Sequence, residues 1–206
     1  MPPRVMSALV AFGVAELLTI AVATQPVQPP SQEVAATPVS EAPAALRSAI
    51  ETADAVFAEI QKAHVTEITH ALATSGPGGA ISVCHQSSAQ VIERVKREKG
   101  FDVGRTSDRL RNPTNIPKPW AAAIVKAYAG QPAKSVDGFY VNLGDRVGVI
   151  RPVEEKEICA GCHGRADRLE ARVRQELKER YPADHATGFK TGEIRGWLWA
   201  EIPVQK

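Results

Sequence analysis

The chain has 206 residues, of which 44% are hydrophobic and 23% are charged, a balance typical of one globular domain. Its formal net charge is +2, and acidic and basic side chains are mixed along the sequence without a run of lysine or arginine. This distribution argues against a nucleic-acid partner.

The first 23 residues have the pattern of an export signal. Arg4 precedes an apolar run over residues 5–22, and the Ala-Val-Ala of residues 21–23 matches an A-x-A cleavage site. Glu16 lies inside this run, and an acidic residue near the middle of a spanning helix costs roughly 2.5–3.5 kcal/mol on insertion scales. We therefore expect a signal peptide over residues 1–23, a periplasmic location, and no permanent membrane span unless the signal stays uncleaved.

Residues 24–43 contain five prolines and almost no large apolar side chains. Such a segment buries too little surface to order itself, which predicts a Pro-rich linker and a folded domain over residues 44–206. The only methionines, Met1 and Met6, lie in the signal, so the exported chain has none.

The first half of the domain has a helical pattern. Apolar residues recur at helical spacing over residues 44–74, and Ser75-Gly76-Pro77 then breaks the helix and begins a second one. This second helix is expected to end near Lys99, before Gly100. Residues 101–119 have the composition of a loop, and a short helix is expected over residues 120–129.

The second half contains strands. Residues 138–143 and 146–153 predict a hairpin around Gly144-Asp145. A charged helix over residues 166–180 and a closing strand over residues 193–204 follow. Helices that precede an antiparallel sheet define the α+β class.

Cys159-Ala160-Gly161-Cys162-His163 is a C-x-x-C-H motif, the signature of covalent c-type haem attachment. Two thiols at this spacing reach the two vinyl groups of one porphyrin, and the next residue supplies an imidazole beneath the iron. We therefore expect one haem c, bound through Cys159 and Cys162, with His163 as an axial ligand. Two alternatives stay open: a zinc site formed by Cys84, His85 and the cysteine pair, and a redox dithiol.

The residue on the opposite face of the iron is not fixed by the motif. Methionine is excluded after export, which leaves Cys84, His64, His85 or an open position. On a helical wheel, Cys84 lies near the centre of an apolar stripe and His85 lies at its edge. His64 lies on the apolar seam of the first helix, so residue geometry leaves Cys84 and His64 nearly equal.

Several ordered motifs carry a family resemblance. They are residues 78–84 (Gly-Gly-Ala-Ile-Ser-Val-Cys), residues 103–107, residues 110–115, Trp120, the haem motif with Gly164, and segments of the tail between Tyr181 and Gly196. Over roughly residues 44–204 the chain resembles a family of single-haem c-type proteins of unknown function with a PAS-like fold. The resemblance implies a PAS-like antiparallel sheet with N-terminal helices, and iron ligation by Cys84 opposite His163.

Arg105, Arg109 and Arg111 cluster before the haem motif. Guanidinium groups pair with carboxylates through two parallel hydrogen bonds, so we expect Arg105 and Arg111 to bind the haem propionates. Arg105 ranks first because it lies within the motif of the similar family.

Three classes of function are compatible with these features. An electron carrier with a redox partner protein is slightly favoured, because the chain carries no output domain. A redox or gas sensor that signals to a partner is the alternative that the PAS-like fold suggests. An enzyme is least favoured, because two iron ligands and no evident acid/base pair leave little room for catalysis.

Overall fold

The structure is a computed structural model that describes residues 35–204. The predicted signal at residues 1–23 and the first part of the predicted linker lie outside the described residues.

Five antiparallel strands form one sheet in the order β1-β3-β4-β5-β2. The strands are β1 (Thr37–Pro38), β2 (Asp102–Thr106), β3 (Phe139–Asn142), β4 (Arg146–Glu154) and β5 (Ile194–Pro203). The helices are α1 (Arg47–Lys99), α2 (Ala122–Ala127), α3 (Ala160–His163) and α4 (Ala171–Arg180).

Helix α1 folds back on itself at Gly76. This glycine has φ 66° and ψ −179°, a conformation that residues with a Cβ rarely adopt. Glu59 in the first arm (residues 47–75) forms ion pairs with Arg94 and Lys99 in the second arm (residues 77–99), so the arms run antiparallel. The break predicted at Ser75-Gly76-Pro77 and the end before Gly100 are both confirmed.

The sheet has a hydrophobic core on each face. Alternation along β5 places Leu198, Ala200 and Ile202 against both arms of α1, and places Trp197 and Trp199 against α2 on the opposite face. The hairpin of β3 and β4 around Gly144-Asp145 and the closing strand are as predicted. A helical hairpin on an antiparallel sheet confirms the α+β class.

Two segments expected to be irregular are strands. Asp102–Thr106 pairs with β5 inside the predicted loop, where Gly104 leaves room for the ring of Trp199. Thr37–Pro38 pairs with β3, so the chain joins the sheet before Ala44, the expected start of the domain. Within residues 35–204, no helix is both long enough and apolar enough to cross a lipid bilayer.

Helix α4 packs on the second arm of α1 through a third, smaller apolar cluster. Ile81 contacts the α4 side chains Val173 and Leu177, and Leu169 precedes the helix in the same cluster. Cys162 and Tyr181 pack against this cluster. The contact brings the segment that contains Cys84 next to the C-x-x-C-H motif.

Candidate haem site

The C-x-x-C-H motif forms one turn of helix between the sheet and α4. A 3-10 turn (Glu157–Cys159) leads into α3, which ends at His163. Cys159 and Cys162 are three residues apart, so their thiols lie on one side of the turn. Both are free and partly exposed, and burial raises the pKa of each thiol, that of Cys162 to about 11.

His163 is held in one tautomer. Its Nδ1 atom lies 2.7 Å from the carbonyl oxygen of Ala186, which can only accept, so Nδ1 carries the proton. Its Nε2 atom lies 3.1 Å from Arg195 Nη2 and 3.4 Å from Arg111 Nη1, which can only donate. Burial, with Arg195 and Arg111 adding to the effect, lowers the pKa of this imidazole well below 6.5. The ring is therefore neutral, with the Nε2 lone pair directed away from its anchor.

Arg111 anchors the motif to the tail. Its guanidinium binds both carboxylate oxygens of Asp184, with Nε to Oδ1 and Nη2 to Oδ2 each 3.2 Å. Nη2 also donates to the carbonyl oxygens of Cys162 at 2.7 Å and Ala186 at 3.3 Å. Arg111 thus already has a carboxylate partner and fixes the backbone around His163.

Cys84 lies in the second arm of α1, beside the motif. Burial raises the pKa of its thiol, and the nearby guanidinium groups of Arg111 and Arg105 oppose that effect. Ile81, in the same arm, belongs to the apolar cluster against which Cys162 packs. The structure therefore brings Cys84 to the site that contains His163.

His64 faces the same site across the helical hairpin. Its Nε2 atom accepts from Arg105 Nη1 at 3.3 Å, and its Nδ1 atom lies 3.3 Å from Ser88 Oγ in the second arm. Burial, with help from Arg105 and Arg195, lowers the pKa of His64 to about 3, so the ring is neutral. His85 instead packs edge-on against Tyr181, with ring centroids 4.9 Å apart.

Arg105 lies in β2 and differs from Arg111 in its partners. Among the described residues, no acidic side chain forms an ion pair with Arg105, and burial lowers the pKa of its guanidinium. A half-buried cation without a counterion is costly, so the position of Arg105 suits an anionic ligand.

Arg195 and Glu155 belong to the same site, and sequence analysis did not identify either. Arg195 lies on β5 and touches His163, whereas Glu155 follows β4 and is completely buried. Glu155 lies in a Glu-Glu-Lys run that resembles an exposed loop, so its burial has no sequence signal. Arg195 lies within the tail motif on which the family resemblance partly rests. That motif is the sequence signal that could have identified Arg195 as a site residue.

The four predicted zinc ligands do not form a metal cluster. Within residues 35–204, no three histidine, cysteine or acidic side chains are arranged to hold a metal ion. The ring of His85 packs edge-on against Tyr181. The alternative of a zinc site therefore has no support in the geometry.

These features define a class: an α+β domain in which a helical hairpin and a sheet enclose a Cys-x-x-Cys-His turn surrounded by arginines. The chain belongs to the Tll0287-like family, whose model (Tll0287-like: Tll0287) matches residues 35–203. This confirms the family expected from the sequence motifs.

A solved structure has a similar fold. It is described as the crystal structure of the cyanobacterial heme-protein Tll0287, with a TM-score of 0.60 and 20% sequence identity. The match covers 78% of this chain and 98% of that chain. A comparison with curated protein sequences gives no match.

Proposed function

We propose that this chain is an exported monohaem c-type protein that transfers electrons in the periplasm. The observation that carries the proposal is the state of His163 beside two free cysteines. Its Nδ1–H is fixed on Ala186 and its Nε2 lone pair faces the arginines, the tautomer that an axial histidine requires. The family match and the description of Tll0287 as a heme-protein support the same cofactor.

The chemistry of the site fits a covalently attached haem. Cys159 and Cys162 would form the two thioether bonds, and His163 would bind the iron. When bound, the haem supplies an iron that changes by one electron, and the surrounding residues set the potential of that change. The free state of both thiols agrees with this assignment, since neither is used in a disulfide.

Cys84 is the ligand that we propose for the opposite face. It lies in the second arm of α1, whose Ile81 belongs to the apolar cluster against which Cys162 packs, and it is the residue to which the family resemblance gives this role. His85 has its ring against Tyr181. The resemblance and the packing beside Cys162 therefore favour Cys84.

We propose that Arg105 and Arg111 bind the haem propionates. The two arginines differ in whether they already have an acidic partner. Arg105 lacks an acidic partner among the described residues, so a propionate would supply its counterion. Arg111 is already paired with Asp184, so a propionate would be a second anionic acceptor for its guanidinium. We therefore rank Arg105 first.

Electron transfer is supported by the surface around the cysteine pair. Cys159 and Cys162 are both partly exposed, and the neighbouring Ile158 is 45% exposed. A haem held by these thiols would have an edge near the surface, where a redox partner protein can approach.

Sensing is the second candidate, and the position of Cys84 favours it. Cys84 belongs to the second arm of α1, which packs on α4 and on the sheet. A change in the bond between Cys84 and iron would act directly on that arm and could be passed to a signalling partner.

Visible and EPR spectra of the purified holoprotein, combined with a spectroelectrochemical titration, test the proposal. We expect a c-type spectrum, a low-spin ferric haem, and reversible one-electron reduction at a potential below that of Met/His cytochromes, because a thiolate stabilises ferric iron. A protein with a b-type spectrum, or one whose haem takes up no electron reversibly, would contradict it.

A further inference from the structure

Glu155 is a buried carboxyl group without a hydrogen-bonding partner. Its side chain is 0% exposed, and neither Oε1 nor Oε2 has a hydrogen-bond partner among the described residues. Its backbone is fixed, because its N–H donates to Glu193 O at 2.8 Å and its carbonyl accepts from Gly192 at 2.9 Å. Burying a polar group without a hydrogen bond is costly, so this position requires a cationic or donor partner.

Arg195 lies between Glu155 and His163. Its Nε atom is 3.9 Å from Glu155 Oε2, just beyond hydrogen-bond distance, and its Nη2 atom donates to His163 Nε2 at 3.1 Å. The side chain of Arg195 is 18% exposed, so water offers it little compensation. One guanidinium group therefore has two acceptors within reach.

Once haem is attached, Arg195 cannot donate hydrogen bonds to both Glu155 and His163 Nε2. A lone pair on His163 Nε2 that binds iron cannot accept a hydrogen bond from Arg195. We propose that Glu155 is the counterion that positions Arg195 in the haem-loaded protein, holding this guanidinium away from the ligand atom of His163. This inference rests on the proposed haem function and makes Glu155 a positioning residue.

The charges around the pair are consistent with this role. Burial raises the pKa of Glu155 to about 7, and burial together with the nearby guanidinium groups of Arg105 and Arg111 lowers the pKa of Arg195 to about 10. Arg111 and Arg109 also favour the ionised carboxylate, while Glu193 opposes it. A closer approach of Arg195 to Glu155 would strengthen the attraction that offsets both desolvation costs.

The reduction potential of the holoprotein tests the assignment. Glutamine has nearly the same shape as protonated glutamic acid. The substitution Glu155→Gln should therefore change the reduction potential only if Glu155 is ionised in the wild type. We expect Glu155→Gln to raise the midpoint potential, because loss of a buried negative charge favours the ferrous state. In Glu155→Gln/Arg195→Gln the pair is removed without a net change of charge, so the potential should return toward the wild-type value.

Glu154→Gln is the matched control. Glu154 is the neighbouring residue, but its side chain is 30% exposed and lies 4.0 Å from Lys134, so solvent should screen its effect. A potential in Glu155→Gln that shifts no more than in Glu154→Gln would overturn the assignment, as would a double variant that shifts as far as Glu155→Gln. Haem-bearing variants with unchanged potentials contradict this inference alone, whereas wild-type protein without covalent haem contradicts the proposed function as well.

A second measurement applies if Glu155→Gln does not mature. Infrared spectra at about pH 8, above the pKa of about 7 that burial gives Glu155, should show no protonated carboxyl band from Glu155 in wild-type holoprotein, and such a band should appear in Arg195→Gln. Arg165→Gln, which removes an exposed arginine paired with Asp167, should leave the spectrum unchanged. A protonated band already present in the wild type, or none in Arg195→Gln, would overturn the proposal.

Discussion

At the scale of single residues, Cys84 decides how the iron would be ligated. Its raised thiol pKa disfavours a free thiolate, but direct coordination to ferric iron keeps a thiol deprotonated. We expect Cys84→Ser to convert a low-spin ferric haem into one with a weak or absent sixth ligand, measured by EPR. An unchanged EPR spectrum would reject Cys84 and favour His64, which His64→Ala then tests.

His64 should make the stability of the protein sensitive to acid. The unfolded chain protonates this imidazole near pH 6.5, whereas the folded protein does so only at about 3. Between these values the unfolded state binds more protons, so the free energy of unfolding falls as the pH drops through this window. At pH 4.5 the loss should be roughly 2 kcal/mol, allowing for partial exposure of the ring.

Urea unfolding of the holoprotein between pH 7 and pH 4.5 measures this effect. His64→Gln retains groups that can bond to Arg105 and Ser88 but has no imidazole to protonate, so its unfolding free energy should fall less. His70→Gln, at an exposed position on the same arm, should behave as the wild type does. Identical pH profiles for His64→Gln and wild type would show that His64 is not the group responsible.

For the arginines, the sequence predicts which residues belong to the site but not which side chains they bind. Motif spacing predicts Cys159, Cys162 and His163 as haem-binding residues, and the cluster before them predicts Arg105 and Arg111. It could not assign Arg111 to Asp184, because that partner is 73 residues away in the chain. Glu155 was missed for the same reason: its burial depends on the packing of distant segments against it.

At the scale of elements, the turn at Gly76 determines how α1 folds back. A Cβ added to Gly76 would meet no atom of the described residues within 4 Å, so Gly76→Ala creates no clash, but the positive φ is strained for any L side chain. We expect Gly76→Ala to destabilise the protein by about 1–3 kcal/mol in urea unfolding. Gly161→Ala is the control, since that glycine also has open space and lies in a helical turn.

A loss of stability in Gly76→Ala no larger than in Gly161→Ala would contradict the role of the positive φ.

The sequence predicted the turn at Gly76 because Gly-Pro breaks and restarts a helix locally. It did not predict β2, since Asp102–Thr106 contains glycine and polar residues and becomes a strand only by pairing with β5. Local signals were therefore sufficient for α1 and for the hairpin of β3 and β4, and insufficient for a strand whose partner is distant in sequence.

At the scale of the whole molecule, the fold gathers one site from every part of the domain. The second arm supplies Cys84, β2 supplies Arg105, and β5 supplies Arg195, while α3 and the turn before it supply the cysteine pair and His163. These elements are held together by cores on both faces of the sheet and under α4. The charge of the whole chain, +2, does not show that several guanidinium groups surround one histidine.

The most direct test of the central claim is the intact mass of the protein purified from its native host under denaturing conditions. We predict the mass of a polypeptide that begins near Thr24 plus one haem, because thioether bonds through Cys159 and Cys162 survive denaturation. A mass equal to the bare polypeptide would contradict covalent haem attachment and, with it, the proposed function.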